Sequence, residues 1–155
     1  MSARAVFDGA GLIRLEDREP DRPAEAEVLV EVAACGICGT DRSIFRGEYQ
    51  LNPPIVLGHE YAGTVVDLGP GVTGLSIGDR VCVDPNITCG GRCRYCRRGL
   101  SHLCEELSPL GIVRDGGFAR HSAVPAAYAY LLPDSVSFDQ GALVEPVACC
   151  LHGIE

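Results

Sequence analysis

Two groups of residues carry donor atoms at spacings that chemistry can use. The first brings together Cys35-Gly36-Ile37-Cys38-Gly39-Thr40-Asp41 and Leu57-Gly58-His59-Glu60-Tyr61. Cys38, His59 and Glu60 offer a thiol, an imidazole and a carboxylate, the mixed donors that a catalytic zinc takes. Such a site uses about three protein ligands and keeps one position open. A buried thiol beside a hydrogen-bonded core histidine is the ordinary alternative, and the neighbouring residues tip the reading toward metal. The second group is Cys89, Cys93, Cys96 and Cys104, separated by three, two and seven residues. Four thiolates in a 16-residue stretch close a tetrahedral shell and leave no room for chemistry, which reads as a structural zinc site. The alternative is a vacant, reducible thiol cluster. A lobe this small has little apolar core, so the metal would supply much of its stability.

The elements that must position these donors are mostly short strands. Residues 3–7 and 12–16 read as strands around the turn Asp8-Gly9-Ala10-Gly11. A charged connection with Pro20 and Pro23 follows over residues 17–26. Val28, Val30 and Val32 then alternate with Leu29, Glu31 and Ala33, the period of a strand with one face more buried than the other. That strand delivers Cys38 to a short helix predicted over residues 40–45. Asn52-Pro53-Pro54 breaks the chain before Ile55-Val56-Leu57 and the histidine. Residues 61–68 and 80–83 are further strands. Between them, Gly69-Pro70-Gly71-Val72-Thr73-Gly74 spells G-x-G-x-x-G. A dinucleotide fingerprint has to open a helix and find an acidic partner roughly 20 residues on. This one leads into a strand and reads as a glycine-rich turn. Strands are expected at 118–124 and 129–132, divided by Pro125. Ser137 and Gln140 form a capping box for a helix to about Val144. Pro146 suits the first turn of a second helix. Many strands and few helices predict a mainly β chain, a compact barrel, with no repeats and no low-complexity tracts.

At 155 residues the chain is long enough for one domain with its own core. A formal charge of −8 and a pI near 4.9 argue against nucleic acid and anionic membrane as partners. No apolar run reaches 18 residues, so no spanning helix is indicated. Nor does a stretch of signal-peptide character follow Met1, and a cytoplasmic location is expected. The odd number of cysteines, nine, fits reduced thiols and metal better than a disulfide framework. Cys35, Cys82, Cys149 and Cys150 sit among Val, Ala and Leu and read as small core residues.

Jointly, Cys38-Gly39-Thr40-Asp41, Gly58-His59-Glu60 and Gly78-Asp79-Arg80-Val81 resemble zinc-dependent medium-chain alcohol and polyol dehydrogenases in order and spacing. The resemblance runs from about Arg4 to Glu155 and covers the amino-terminal catalytic half of such enzymes. It implies a GroES-like barrel over 1–155 with a few short helices, the zinc lobe occupying 89–104. It also implies two zinc ions, one catalytic and one structural, and NAD or NADP held by a Rossmann domain absent from this chain. In the first cysteine pair relatives usually have two intervening residues, whereas Gly90-Gly91-Arg92 makes three. Zinc loops accept two to four, and the glycines ease closure of the longer turn.

By the same resemblance, Thr40 is the hydroxyl that passes an alcohol proton toward solvent. A helix-start threonine bonded to backbone is the alternative. Asp41 resembles the carboxylate that orients His59 through its second ring nitrogen, or else is a plain helix-start acid. Ser43 stands where several relatives have a relay histidine, so the outer relay differs. Glu145, in Ala142-Leu143-Val144-Glu145-Pro146, matches the position where simple alcohol dehydrogenases have a cysteine ligand. Sorbitol, butanediol and threonine dehydrogenases have glutamate there; a solvated loop glutamate is the alternative. Gly116-Gly117-Phe118-Ala119 resembles the same branch, whose aromatic residue can line the substrate cleft.

A zinc with an open position makes an alcohol hydroxyl more acidic and so eases hydride departure to a nicotinamide. The expected function is therefore the catalytic zinc domain of an oxidoreductase that interconverts a secondary alcohol or polyol and its ketone with NAD(P). The substrate would be a small alcohol or polyol, and the full-length enzyme a homo-oligomer. Relatives continue beyond the position of Glu155, so the chain is expected to be a fragment that binds zinc without turning over an alcohol. Two other classes stand beside this one. One is a zinc-stabilised GroES-like scaffold or interaction module without catalysis. The other is a zinc-free quinone-reductase relative, disfavoured by the Cys38 and His59 pair.

Overall fold

Strand pairing in the computed structural model, which describes residues 2–154, follows the apolar runs closely. β1 (Ser2–Gly9) and β2 (Leu12–Arg18) form the antiparallel hairpin predicted around Gly9 and Gly11, and β4 (Ile55–Val56) pairs on the other side of β1. The charged connection accordingly begins one residue after Arg18. A second, five-stranded antiparallel sheet has the order β7-β3-β5-β6-β8, with β3 at Glu27–Gly36, β5 at Glu60–Leu68, β6 at Arg80–Val83, β7 at His121–Pro125 and β8 at Ala129–Leu131.

Residues 118–120 were expected inside a strand, but they bridge the two sheets. Phe118 N–H donates to Leu57 and its carbonyl accepts from Ala5 N–H, while Arg120 accepts from Val32 N–H and donates to Ala3. Extended backbone that alternates between two partners joins the sheets into one wall around a shared interior. In β3, Val28 and Val30 are fully buried and Val32 half-buried, while on the other face Leu29 is buried, Glu31 half-buried and Ala33 exposed, so one face is the more buried, as the alternation implied. The main core gathers Val28, Val30, Tyr61, Val65, Val81, Val83, Leu110 and Val124. A second cluster, Phe7, Ile44, Ile55 and Leu57, seats α1 (Gly39–Phe45) against the three-stranded sheet.

The chain's end is helical. The Ser137 capping box forms as predicted, with Ser137 Oγ accepting from Gln140 N–H at 3.2 Å and Gln140 Oε1 accepting from Ser137 N–H at 2.9 Å. It opens α2 (Phe138–Ala142), and Val144 begins α3 (Val144–His152) rather than ending its predecessor. Gly69 to Gly74 lies between β5 and β6 in turns and bends, as the strand that follows it required.

Candidate metal centres

The end of β3 and the start of β5 are adjacent strand termini, and the first donor group is built there. Gly36 pairs with Glu60 across the two strands, so Cys38 and His59 leave the sheet at the same corner. The Sγ of Cys38, a ring nitrogen of His59 and a carboxylate oxygen of Glu60 lie within 4.8 Å of one another. His59 and Glu60 are 7% and 9% exposed. Polar groups buried to that degree need partners.

Asp41, itself only 4% exposed, ties the two segments together. Its Oδ2 accepts from Cys38 N–H at 2.9 Å, closing the first turn of α1, and its Oδ1 accepts from Gly58 N–H at 3.2 Å. The same Oδ1 faces His59 Nδ1 at 3.6 Å. Nδ1 is buried without a hydrogen-bond partner in this arrangement, and a small ring shift toward Asp41 would satisfy it as a donor. That tautomer leaves Nε2 with its lone pair free. Asp41 thus begins a helix and also faces the histidine.

Gly58 makes the corner possible. Its φ of +88° lies in the left-handed region, and a Cβ there would stand 2.6 Å from the Phe118 ring and 2.9 Å from Cys35 Sγ. Only glycine fits both the conformation and the space. Thr40 Oγ1 lies 3.7 Å from Cys38 Sγ, which donates to it. Its hydroxyl is thus beside the cluster, half-buried. Burial pushes the Cys35 thiol up to about 12, the nearby Asp41 charge adding to the effect.

In this arrangement the Glu145 carboxylate stands apart from the three clustered donors. It lies in the first turn of α3, half-buried, and its Oε1 accepts from the Cys149 thiol at 3.2 Å, one turn on. The solvated-loop alternative is also excluded by its helical setting. Cys149 and Cys150 are exposed, which corrects their assignment to the core: α3 presents both to the surface. Of that set only Cys82 is buried, with Cys35 intermediate. The Glu145–Cys149 contact escaped the sequence reading, although the spacing of four residues, which places two side chains on one helix face, was a usable signal.

The second group is fully assembled. The four sulfurs of Cys89, Cys93, Cys96 and Cys104 lie within 4.8 Å of one another, and three of these cysteines are buried. Backbone amides are aimed at the sulfurs: Cys93 N–H at Cys89 (3.2 Å), Cys89 N–H at Cys104 (3.3 Å) and Cys96 N–H at Cys93 (3.4 Å). Amide hydrogens directed at sulfur favour thiolate. The amides of Cys96 and Glu105 hold the Cys93 thiol down to about 6, whereas burial and the other sulfurs push Cys96 up to about 12. Four sulfurs brought this close, with amide hydrogens aimed at three of them, form a donor set suited to a cation. Gly90 and Gly91, both at positive φ, close the longer first turn, and all nine cysteines are unpaired thiols.

These donor sets can be compared with known proteins. The sequence profile of the alcohol dehydrogenase GroES-like domain matches residues 24–134. The chain belongs to that family. Members similar to it include the L-threonine 3-dehydrogenase of Shewanella woodyi, 43% identical over 130 residues, which cover 81% of this chain and 38% of that protein. The sorbitol dehydrogenase of Halalkalibacterium halodurans is 35% identical over 146 residues, 94% of this chain and 43% of its own length. Among solved structures, a Sinorhizobium meliloti protein described as a zinc-binding dehydrogenase, bound to NADP, superposes with a TM-score of 0.94 at 43% identity. The match covers 99% of this chain and 45% of that one. The chain thus spans about two-fifths of the length of these curated relatives. The mainly β, GroES-like fold agrees with both kinds of likeness. Among the described residues no helix is long and apolar enough to cross a membrane.

Proposed function

We propose that this chain is the catalytic metal domain of an NAD(P)-dependent dehydrogenase acting on a small secondary alcohol or polyol. The observation that carries the reading is Asp41, which holds the Cys38 amide and the Gly58 amide with one carboxylate and faces His59 with the same oxygen. A carboxylate that fixes the backbone of two donor segments and the tautomer of the histidine between them is the arrangement expected around a ligand set. The donors fit zinc in type: thiolate, imidazole and carboxylate. Cys38 and His59 would hold the ion with Glu60 beside them, and Glu145 is the candidate fourth group. When bound, zinc would supply Lewis acidity toward an alcohol oxygen.

The chain's own residues do the rest. With the ring moved slightly toward it, Asp41 would keep the proton on His59 Nδ1 and leave the lone pair of Nε2 pointing away from it. Thr40, next to Cys38, supplies a hydroxyl that can accept a proton from substrate and release it at the half-exposed rim. Ser43 follows on the same short helix. Cys89, Cys93, Cys96 and Cys104 would hold a second zinc with no open position, and the lobe over 89–104 would be its structural site. The likeness to threonine and sorbitol dehydrogenases, together with Glu145, favours vicinal diols, polyols or hydroxy amino acids as substrates.

A chimera in which this chain replaces the matching segment of the Shewanella woodyi relative tests the proposal. It should oxidise one member of a secondary-alcohol and polyol panel with NAD or NADP, and Cys38→Ala should abolish that activity. A folded, cofactor-binding chimera whose activity survives Cys38→Ala would overturn it.

A further inference from the structure

The contact that the proposed mechanism leaves unused is the one between Cys149 and Glu145. Glu145 and Cys149 are separated by one helical turn of α3, and the thiol donates to Glu145 Oε1 at 3.2 Å. This occupies an oxygen that a metal would need. α3 packs against β5, the strand that begins at Glu60, a member of the donor cluster. Glu145 also borders an open cleft of about 780 Å³, lined in part by Thr88, His102, Tyr128, Cys149 and His152, so its side chain is not enclosed on that side. Both residues lie outside the main core and neither is fully buried, so the carboxylate is not locked in place by packing.

We infer that Cys149 is a positioning residue that holds Glu145 away from the Cys38–His59–Glu60 cluster, so that thiol and metal compete for one carboxylate. The inference rests on the reading of Glu145 as a candidate fourth group at the metal. Glu145 then has two stations. In one its Oε1 accepts from Cys149, as described here. In the other it turns through its own side-chain rotamers toward the cluster, and the thiol is released. Nothing is oxidised and no bond other than the hydrogen bond is broken. The consequence is a weaker, more exchangeable grip on the catalytic ion than the donor count suggests, while the four-cysteine site is unaffected. A hydroxyl in place of the thiol would hold the carboxylate equally well; an alanine would not hold it at all.

Cobalt(II) is the probe, because thiolate-to-metal absorption reports the one-cysteine and four-cysteine sites as separable bands. The 155-residue chain is loaded with cobalt and challenged with a chelator, and retention at the one-cysteine site is compared across variants. Cys149→Ala should retain the ion about fivefold more strongly, the scale of one hydrogen bond no longer competing for the carboxylate. Cys149→Ser should match the parent chain, and the four-cysteine band should be the same in all variants. In a Glu145→Ala background, the change at position 149 should have no effect. If Glu145→Ala alone leaves retention unchanged, Glu145 is not a ligand, and the underlying reading fails with the inference. If Glu145→Ala weakens retention but Cys149→Ala equals the parent, only the inference fails.

Discussion

Asp41 shows how much of a candidate metal site can be carried by a residue outside its set of clustered donors. Its two oxygens are both occupied by backbone amides, and it has no spare donor. Asp41→Asn keeps the shape but turns one oxygen into an NH2 group facing a backbone N–H. One of the two segments must then move, or His59 Nδ1 loses the carboxylate oxygen that faces it at 3.6 Å. Loss of such a supporting group typically weakens metal binding 10- to 100-fold. Chelator competition on the zinc-loaded chain should show a loss of that size at the one-cysteine site, with the β-sheet circular dichroism retained. Cys35, three residues before Cys38, gives a pH prediction of opposite character. Burial raises its thiol from the model-compound value of 9.0 to about 12. Below pH 9 both folded and unfolded chains keep that proton, and the full stability is present. Between 9 and 12 the unfolded chain loses it first, so stability falls as pH rises. At pH 10 the loss amounts to about 1.4 kcal/mol. Urea denaturation at pH 8 and 10 should therefore show the parent chain losing about that much more than Cys35→Ala.

At the level of elements, what was legible in the sequence was whatever local chemistry decides. The capping box of Ser137 and Gln140, the β1–β2 hairpin around Gly9 and Gly11, and the bounds of β6 all depend on a few neighbouring residues. Residues 118–120 were misread because their extended backbone divides its hydrogen bonds between two sheets, and periodicity records extension without recording the partner. The same limit applies to Glu145. Its helix was predicted, but whether its side chain reaches the cluster or Cys149 depends on rotamer and packing. By contrast, the approach of the four cysteines of 89–104 was readable from spacing, because short loops leave them nowhere to go but together, whereas the Cys38, His59 and Glu60 group was read from the motifs around it. That lobe gives the prediction at this scale. Its packed residues are mainly the cysteines themselves, with Tyr95 and Leu107 at the margin. Cys96→Ser should therefore open the stretch 92–103 to trypsin at Arg94, Arg97 or Arg98. The one-cysteine site should keep its metal in that variant. Equal loss of both metals would show that the ligands have been divided wrongly.

For the molecule as a whole, the two sites sit in different relations to the core. The main core of Val28, Val30, Tyr61, Val65, Val81, Val83, Leu110 and Val124 contains no candidate ligand, and it buries enough branched side chain to hold the sheets without metal. Cys38, His59 and Glu60 lie at one corner where β3 ends and β5 begins, so an ion there adds to a structure already formed. The lobe has the reverse dependence, since its sulfurs are its centre. Zinc removal should consequently proceed in two stages. A weak chelator should first take the one-cysteine ion, leaving the β signal, the Tyr61–Ser122 hydrogen bond at 2.9 Å and the melting temperature nearly unchanged. A stronger chelator, or acidification to protonate the thiolates, should then take the four-cysteine ion, after which the lobe is digested while a protected β fragment remains. Mass spectrometry under native conditions, paired with limited proteolysis, reads both stages directly. Simultaneous loss of both ions with collapse of the β signal would mean that the barrel depends on metal, and the separation between core and sites would be wrong.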